Sequence, residues 1–501
     1  MHLRDTYEVW FVTGSQHLYG EETLRAVGQH AAEIAASLHD AAAIPVDLVG
    51  KGVLTTPEEI RAICIEANSS ERCVGLVAWM HTFSPAKMWI GGLTSLQKPL
   101  LHLHTQYNEA LPWSEIDMDF MNTNQSAHGD REFGHILARL HIDRTVVVGH
   151  WKQPAVAERI GAWSRSAAGV AEARRLKVVR FGDNMRQVAV TEGDKVEAEI
   201  RFGFSVNTHG INDLTDVVGS VSAKDAEALV ATYDDEYDVA EALRRGGAQR
   251  AALVDAARIE LGLRSFLEQG GYRAFTDTFE DLGALTQLPG IAVQRLMRDG
   301  YGFAAEGDWK TAALVRVMKL MSDGLAGGTS FMEDYTYDFT PGSEAVLGSH
   351  MLEVCPSIAG GVPTCEIHPL GIGGRSDPVR LVFTAPAGEA VVAALVDLGD
   401  RFRMLVNPVD VVEPREALPR LPVARAVWHP RPDLSTAAAA WILAGGPHHT
   451  SLSYALTADH MADFAAMVGV EVVTIDESTS LRAFQRELQW NDAYTTLRGR
   501  I

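Results

Sequence analysis

Cysteine is scarce: four residues in a chain of 501 cannot form the disulfide framework that staples small secreted domains. Stretches rich in Lys and Arg are missing as well. Lys and Arg total 44 against 65 Asp and Glu, a net charge of −21. Nucleic acid and anionic membrane surfaces both require a basic footprint, so neither is an expected partner, and the acidic balance serves mainly solubility. Long apolar runs are also lacking. The longest is Ala437 to Ala444, far short of the roughly 20 residues of a membrane span. The opening residues, Met1 to Glu8, show no basic segment followed by an apolar one. No signal peptide is therefore expected, and a cytoplasmic protein is. Internal repeats and low-complexity segments are not evident.

What is present is ordinary globular composition, 47% hydrophobic and 22% charged. At about 150 residues per domain the length predicts about three domains. We place them at 1–175, 176–325 and 326–501. The first third alternates apolar strands with helical patterns. Val9–Val12, Ile44–Val49, Val74–Trp79, Leu100–Leu103 and Thr145–Val148 read as strands. Leu24, Val27, Ala31, Ile34 and Leu38 fall on one helical face, as do Val156, Ile160, Trp163 and Val170. Thr56-Pro57-Glu58-Glu59 is a helix start, with Thr as cap and Pro in the first turn. Such alternation predicts a parallel sheet covered on both faces.

The middle third predicts a hairpin, with Val188–Val190 and Val196–Ile200 flanking Glu192-Gly193-Asp194. A long helical zone follows from about Asp225 to Gln269, its Asp234-Asp235-Glu236 run facing solvent. Leu314, Val317, Met318 and Met321 line one face of a later helix and read as core. From Gly327 strands dominate. Phe331–Phe339 is extended, and Val379–Phe383, Val391–Leu398 and Phe402–Val406 suggest an antiparallel meander in a separate β-rich domain. A helix over Ala458–Val468 and a strand over Glu471–Ile475 come last.

Phosphate-binding signals are weak. Thr13-Gly14-Ser15 has a single glycine, and Gly371-Ile372-Gly373-Gly374 lacks the third spaced glycine and precedes no helix. His102 and His104 alternate along one strand and read as a packing pair. Cys355, Cys365 and His368, with His350 upstream, form a conceivable zinc set, but their spacing fits none of the tight cysteine-pair patterns. A better motivated set comprises Glu306, Glu333, His350 and the pair His448–His449. Carboxylates with imidazoles suit a Mn²⁺-like divalent ion better than thiols do.

Longer strings are more specific than any of these. Glu8 to Gly20 (EVWFVTGSQHLYG), Trp79 to Trp89 (WMHTFSPAKMW), Gln125 to Gly129, Glu306 to Lys310, Met332 to Tyr335 and Gly445 to Thr450 occur in fixed order. Together they resemble the L-arabinose isomerases nearly end to end. The resemblance implies the arabinose/fucose isomerase fold: a Rossmann-like N-terminal domain, an α/β central domain and a barrel-like C-terminal domain. It implies interconversion of L-arabinose and L-ribulose, the first step of arabinose catabolism, with D-galactose to D-tagatose as a related activity. It implies one Mn²⁺ or related divalent cation per subunit, held by Glu306, Glu333, His350 and His449, the second histidine of the pair. Substrate contacts map to Gln16, Leu18, Phe83, Gln125, His128, Met185 and Phe279. A homo-hexamer with active sites shared between subunits is implied too.

Moving hydrogen between C1 and C2 of a sugar passes through an enediol, with hydride shift as the alternative. Glu306 and Glu333 are the expected acid–base pair. Two other classes compete. A nucleotide-dependent oxidoreductase needs the glycine-rich turn that is missing here. A non-catalytic sugar-binding protein of similar layout would in periplasmic versions carry a signal peptide.

Overall fold

The structure is a computed structural model and describes residues 2–498. The chain divides into two compact units, Met1–Ala171 and Glu172–Ile501. In the first, β1 (Glu8–Gly14), β2 (Asp47–Leu54), β3 (Cys73–Met80), β4 (Leu100–His104) and β5 (Thr145–Val148) form one parallel sheet in the order β2-β1-β3-β4-β5. All eight residues of β3 are buried, the mark of a central strand with helices on both faces. The Gly20–Asp40 helix buries Val27, Ala31, Ile34 and Leu38, as their spacing predicts. Thr56 makes a full capping box with Glu59 at the head of the Pro57–Ser69 helix. The second strand begins at Asp47, three residues later than expected.

In the second unit, β6 (Lys177–Phe181), β7 (Ser205–His209), β8 (Asp238–Val239), β9 (Ala274–Thr276) and β10 (Gly302–Ala304) come next. Four of them make a parallel sheet, β10-β9-β6-β7, while β8 pairs elsewhere. The predicted hairpin around Gly193 is absent. Ala189–Thr191 is a short 3₁₀ turn and Lys195–Phe202 an α-helix. Asp194 decides this locally, because its carboxylate accepts from the Val196 and Glu197 amides and caps a helix. The long helical zone is two helices, Ala223–Glu236 and Arg250–Gly270. Gly246, with φ of 84°, turns the chain between them. The Trp309–Met321 helix buries Leu314, Val317, Met318 and Met321 as core.

The C-terminal region contributes β11 (Thr329–Asp338), β12 (Ala345–Ser349), β13 (Thr364–Ile367), β14 (Val379–Val382), β15 (Gly388–Asp397), β16 (Phe402–Val412), β17 (Arg425–Pro430), β18 (His449–Ser453) and β19 (Glu471–Thr474). Six of these close into an antiparallel barrel, β15-β18-β11-β12-β17-β16, sealed by a ten-residue β15–β16 ladder. Closure leaves none of the six as a free edge. The expected meander is therefore only half right. The second and third segments pair, but β14 joins a small sheet with β13 and β8. Leu381 of β14 is fully buried and its amide is held by Gln294, so that strand is drawn to the helical layer. Among the described residues no helix is long and apolar enough to cross a membrane.

Candidate active site

Barrel register builds one side of the site. Glu333 on β11 lies opposite Ser349 on β12 and opposite His449 on β18. Three neighbouring strands thus deliver Glu333, His449 and, one residue beyond Ser349, His350 to the same end of the barrel. Glu306 comes from the turn between β10 and the Trp309–Met321 helix. It adopts φ of 62° and is followed by Gly307 at 80°. A left-handed glutamate is strained by roughly 1–3 kcal/mol and persists only where its surroundings fix it. Here the Glu306 carbonyl accepts from the Met185 amide at 3.0 Å, and the Gly307 amide donates to the Asp277 carbonyl at 2.8 Å.

Glu306, His350 and His449 each offer a ligand atom, all within 4.8 Å of one another. His449 Nε2 lies 3.8 Å from the Glu306 carboxylate, and His350 Nε2 lies 3.8 Å from that of Glu333. His449 is fully buried, and its Nε2 has no hydrogen-bond partner. A buried polar atom left unpaired is costly, and this one is aimed into the group. Its other nitrogen, Nδ1, contacts Asp308 Oδ2 at 3.1 Å. His350 repeats the arrangement, with Nδ1 on Glu353 Oε2. Carboxylates behind imidazoles orient the outer nitrogens toward a metal. Two imidazoles and a carboxylate, with Glu333 beside them, therefore fit a divalent cation of intermediate hardness.

The electrostatics agree. Burial raises the Glu306 carboxyl, but His448, His449 and His350 outweigh it and hold its pKa below the ordinary 4.5. Burial likewise opposes charge on Asp308, yet Lys310, His449 and Thr311 keep its pKa well below the carboxylate range. Burial disfavours protonated His350, but Glu353, Glu333 and Glu306 lift it to about 8.

Sequence reasoning grouped Glu306, Glu333, His350 and His449, and the fold brings all four to one place. His448 is half-buried at the margin, with Nε2 3.9 Å from Glu306. Met185 touches the site through its amide, and the Phe279 ring stacks on His350 at 6.2 Å. The five remaining expected residues lie in the first unit, Gln16, Leu18 and Phe83 shortly after β1 and β3 and Gln125 and His128 at the head of the Ser126–Arg139 helix. Gln125 accepts from the Phe83 amide at 3.2 Å and from Tyr19 at 2.8 Å. Phe83 stacks on His128 at 4.7 Å. Gln16 is half-buried, and Leu18 is 85% exposed. The metal-type group found among the described residues contains neither thiol of the cysteine alternative. Cys355 bonds Ser357, and burial pushes the Cys365 thiol up to about 12. His102 and His104 do more than pack, each bonding one oxygen of Asp130 at 2.7 Å.

Asp308 and Glu353 were not singled out from the sequence. Asp308 had a local signal, an Asp at the N-cap of a helix, where it accepts from the Thr311 amide. Glu353 follows His350 by three residues in irregular chain, with no pattern to mark it.

Comparison with known proteins decides the kinship. The L-arabinose isomerase N-terminal, central and C-terminal domain models match residues 3–175, 177–324 and 328–471. The chain belongs to the L-arabinose isomerase family. It is an enzyme of the aldose–ketose isomerase class. Among its relatives, the L-arabinose isomerase of Koribacter versatilis is 61% identical over 493 residues, covering 98% of both chains. That of Flavobacterium johnsoniae is 60% identical over 487 residues, covering 97% of both. That of Geobacillus stearothermophilus is 59% identical, covering 97% of this isomerase and 98% of the relative.

Proposed function

We propose that this isomerase converts L-arabinose to L-ribulose, and D-galactose to D-tagatose, at the Glu306–Glu333–His350–His449 group. The observation that carries the reading is the unpaired, fully buried Nε2 of His449 facing Glu306. Glu306, His350 and His449, with Glu333 completing the set, would hold a divalent cation such as Mn²⁺, which would supply Lewis-acid polarisation of the sugar oxygens. Glu333 and Glu306 present carboxylates that take the proton from C2 and return it at C1. Asp308 and Glu353 keep the two imidazoles oriented. Phe279, stacked on His350, walls the site with an apolar face that excludes water. Gln16, Leu18, Phe83, Gln125, His128 and Met185 are assigned to sugar binding. The first-unit members act in the site of a neighbouring subunit of a homo-hexamer.

The direct test is ketose formation from L-arabinose by the Mn²⁺-loaded enzyme and its Glu306→Gln and Glu333→Gln variants. Gln preserves size but removes the charge and the base. Each variant is expected to lose about 10²–10⁴-fold in kcat, as removal of a general acid–base group does. Near-normal turnover of both variants at saturating metal would exclude this chemistry.

A further inference from the structure

Lys310 is buried to 1% exposure, although a charge is costly to bury unless it is fully partnered. Its Nζ lies 3.2 Å from Asp308 Oδ1 and donates to the carbonyls of Thr191 at 2.9 Å and Glu192 at 2.7 Å. Those three contacts use the three donors of an ammonium group. They lead in two directions. Asp308 uses its other oxygen, Oδ2, for the Thr311 hydroxyl and His449 Nδ1. Thr191 and Glu192 close the 183–194 loop, whose start is tied to the Glu306 turn through the Met185 amide. Asn184 reinforces that loop by donating to the Thr191 carbonyl and, at 3.1 Å, to that of Gly307. The loop crosses the lysine stem at Gly193, where a Cβ would fall 2.9 Å from the Trp309 ring and 3.1 Å from Lys310 Cδ. A packed apolar side chain would fill the same volume without the cost of burying charge, so packing alone gives no reason for an ammonium here.

We propose that Lys310 is a positioning residue for the metal group. Its ammonium fixes the Asp308 carboxylate against His449. Through the Thr191 and Glu192 carbonyls it also holds the Met185 loop on the Glu306–Gly307 turn. The inference rests on the reading that Glu306, His350 and His449 hold a divalent ion.

The test uses full-length, metal-stripped protein. Mn²⁺ affinity is measured by titration calorimetry, and amide hydrogen exchange is followed over residues 184–192. Lys310→Met keeps the stem and deletes the charge. It should weaken Mn²⁺ binding by about 10–100-fold, the usual effect of losing a group behind a metal ligand. Exchange over 184–192 should accelerate. Excess Mn²⁺ should restore kcat while KM for the sugar stays raised, because the loop is still released. In an Asp308→Asn background, Lys310→Met should cost no more than about two-fold in further affinity, since the two act as one unit. A Lys310→Met protein that binds Mn²⁺ within about two-fold of wild type and loses only thermal stability overturns the proposal. Should Lys310→Met leave Asp308 too exposed as a lone buried charge to fold, the Asp308→Asn/Lys310→Met variant decides alone. Exchange over 184–192 faster than in Asp308→Asn, with affinity within about ten-fold of that variant, supports the proposal, and exchange unchanged from Asp308→Asn or a larger loss of affinity overturns it. Wild-type protein that binds no Mn²⁺ would defeat the metal reading and this inference together. Normal wild-type binding with an unaffected Lys310→Met defeats this inference alone.

Discussion

Each imidazole of the metal group is committed at one nitrogen by a carboxylate of the same chain, Asp308 for His449 and Glu353 for His350. That commitment selects Nε2 as the outward atom and distinguishes His449 from His448, which is half-buried and turns its own Nε2 to Glu306 at 3.9 Å. His350→Asn and His449→Asn should therefore weaken Mn²⁺ binding, and excess Mn²⁺ should partly restore turnover. His448→Asn should show a much smaller defect. Activity measured across a Mn²⁺ titration checks this, and a metal-rescuable defect confined to His448→Asn would contradict it. Glu306, Glu333 and His449 were legible as candidate ligands because each sits inside a distinctive string, whereas His350 was placed only by the resemblance as a whole. The carboxylates behind the histidines were not legible. Asp308 lies 141 positions from His449 in the chain, and only closure of the barrel beside the Trp309–Met321 helix makes them neighbours.

At the scale of elements, the turn from β10 into the Trp309–Met321 helix does the most for the site. Gly307 adopts φ of 80°, and a Cβ there would lie 2.6 Å from Asn184 Cα and 2.8 Å from the Asp183 carbonyl. Gly307→Ala meets both backbone strain and a collision with backbone atoms. It is expected to destabilise the protein by more than about 1 kcal/mol and to weaken Mn²⁺ binding by displacing Glu306. Thermal melting and calorimetry read the two effects. The same region shows why the Val188–Ile200 hairpin was misread. Val196, Ala198 and Ile200 alternate like a strand, but Ala198 and Phe202 are the buried pair, four residues apart on a helix that Asp194 caps. A capping side chain outweighed a short apolar alternation. The parallel sheet of the first unit was legible almost strand for strand, because β1 and β3 are buried along nearly their whole length and hence mostly apolar. The barrel was expected only through the family resemblance, and the diversion of β14 to β13 was invisible, since both depend on contacts distant in the chain.

At the scale of the whole molecule, the expected site residues divide between the two units. Glu306, Glu333, His350 and His449 belong to one, while Gln16, Phe83, Gln125 and His128 belong to the other. If active sites are completed by a neighbouring subunit, as proposed, His128→Asn and Glu306→Gln proteins should each be inactive alone and regain activity when their subunits are exchanged. No recovery after verified exchange would count against shared sites. The assignment of chemistry itself stands or falls on the metal. Metal-stripped enzyme should be titrated with Mn²⁺ while ion binding and ketose formation from L-arabinose are followed in the same samples. Turnover should start at background and rise in step with binding to a plateau at one ion per subunit, and the Glu306→Gln/His350→Asn/His449→Asn variant should neither bind the ion nor turn over. Full turnover by the metal-stripped enzyme, or unchanged Mn²⁺ binding by that variant, would contradict the assignment.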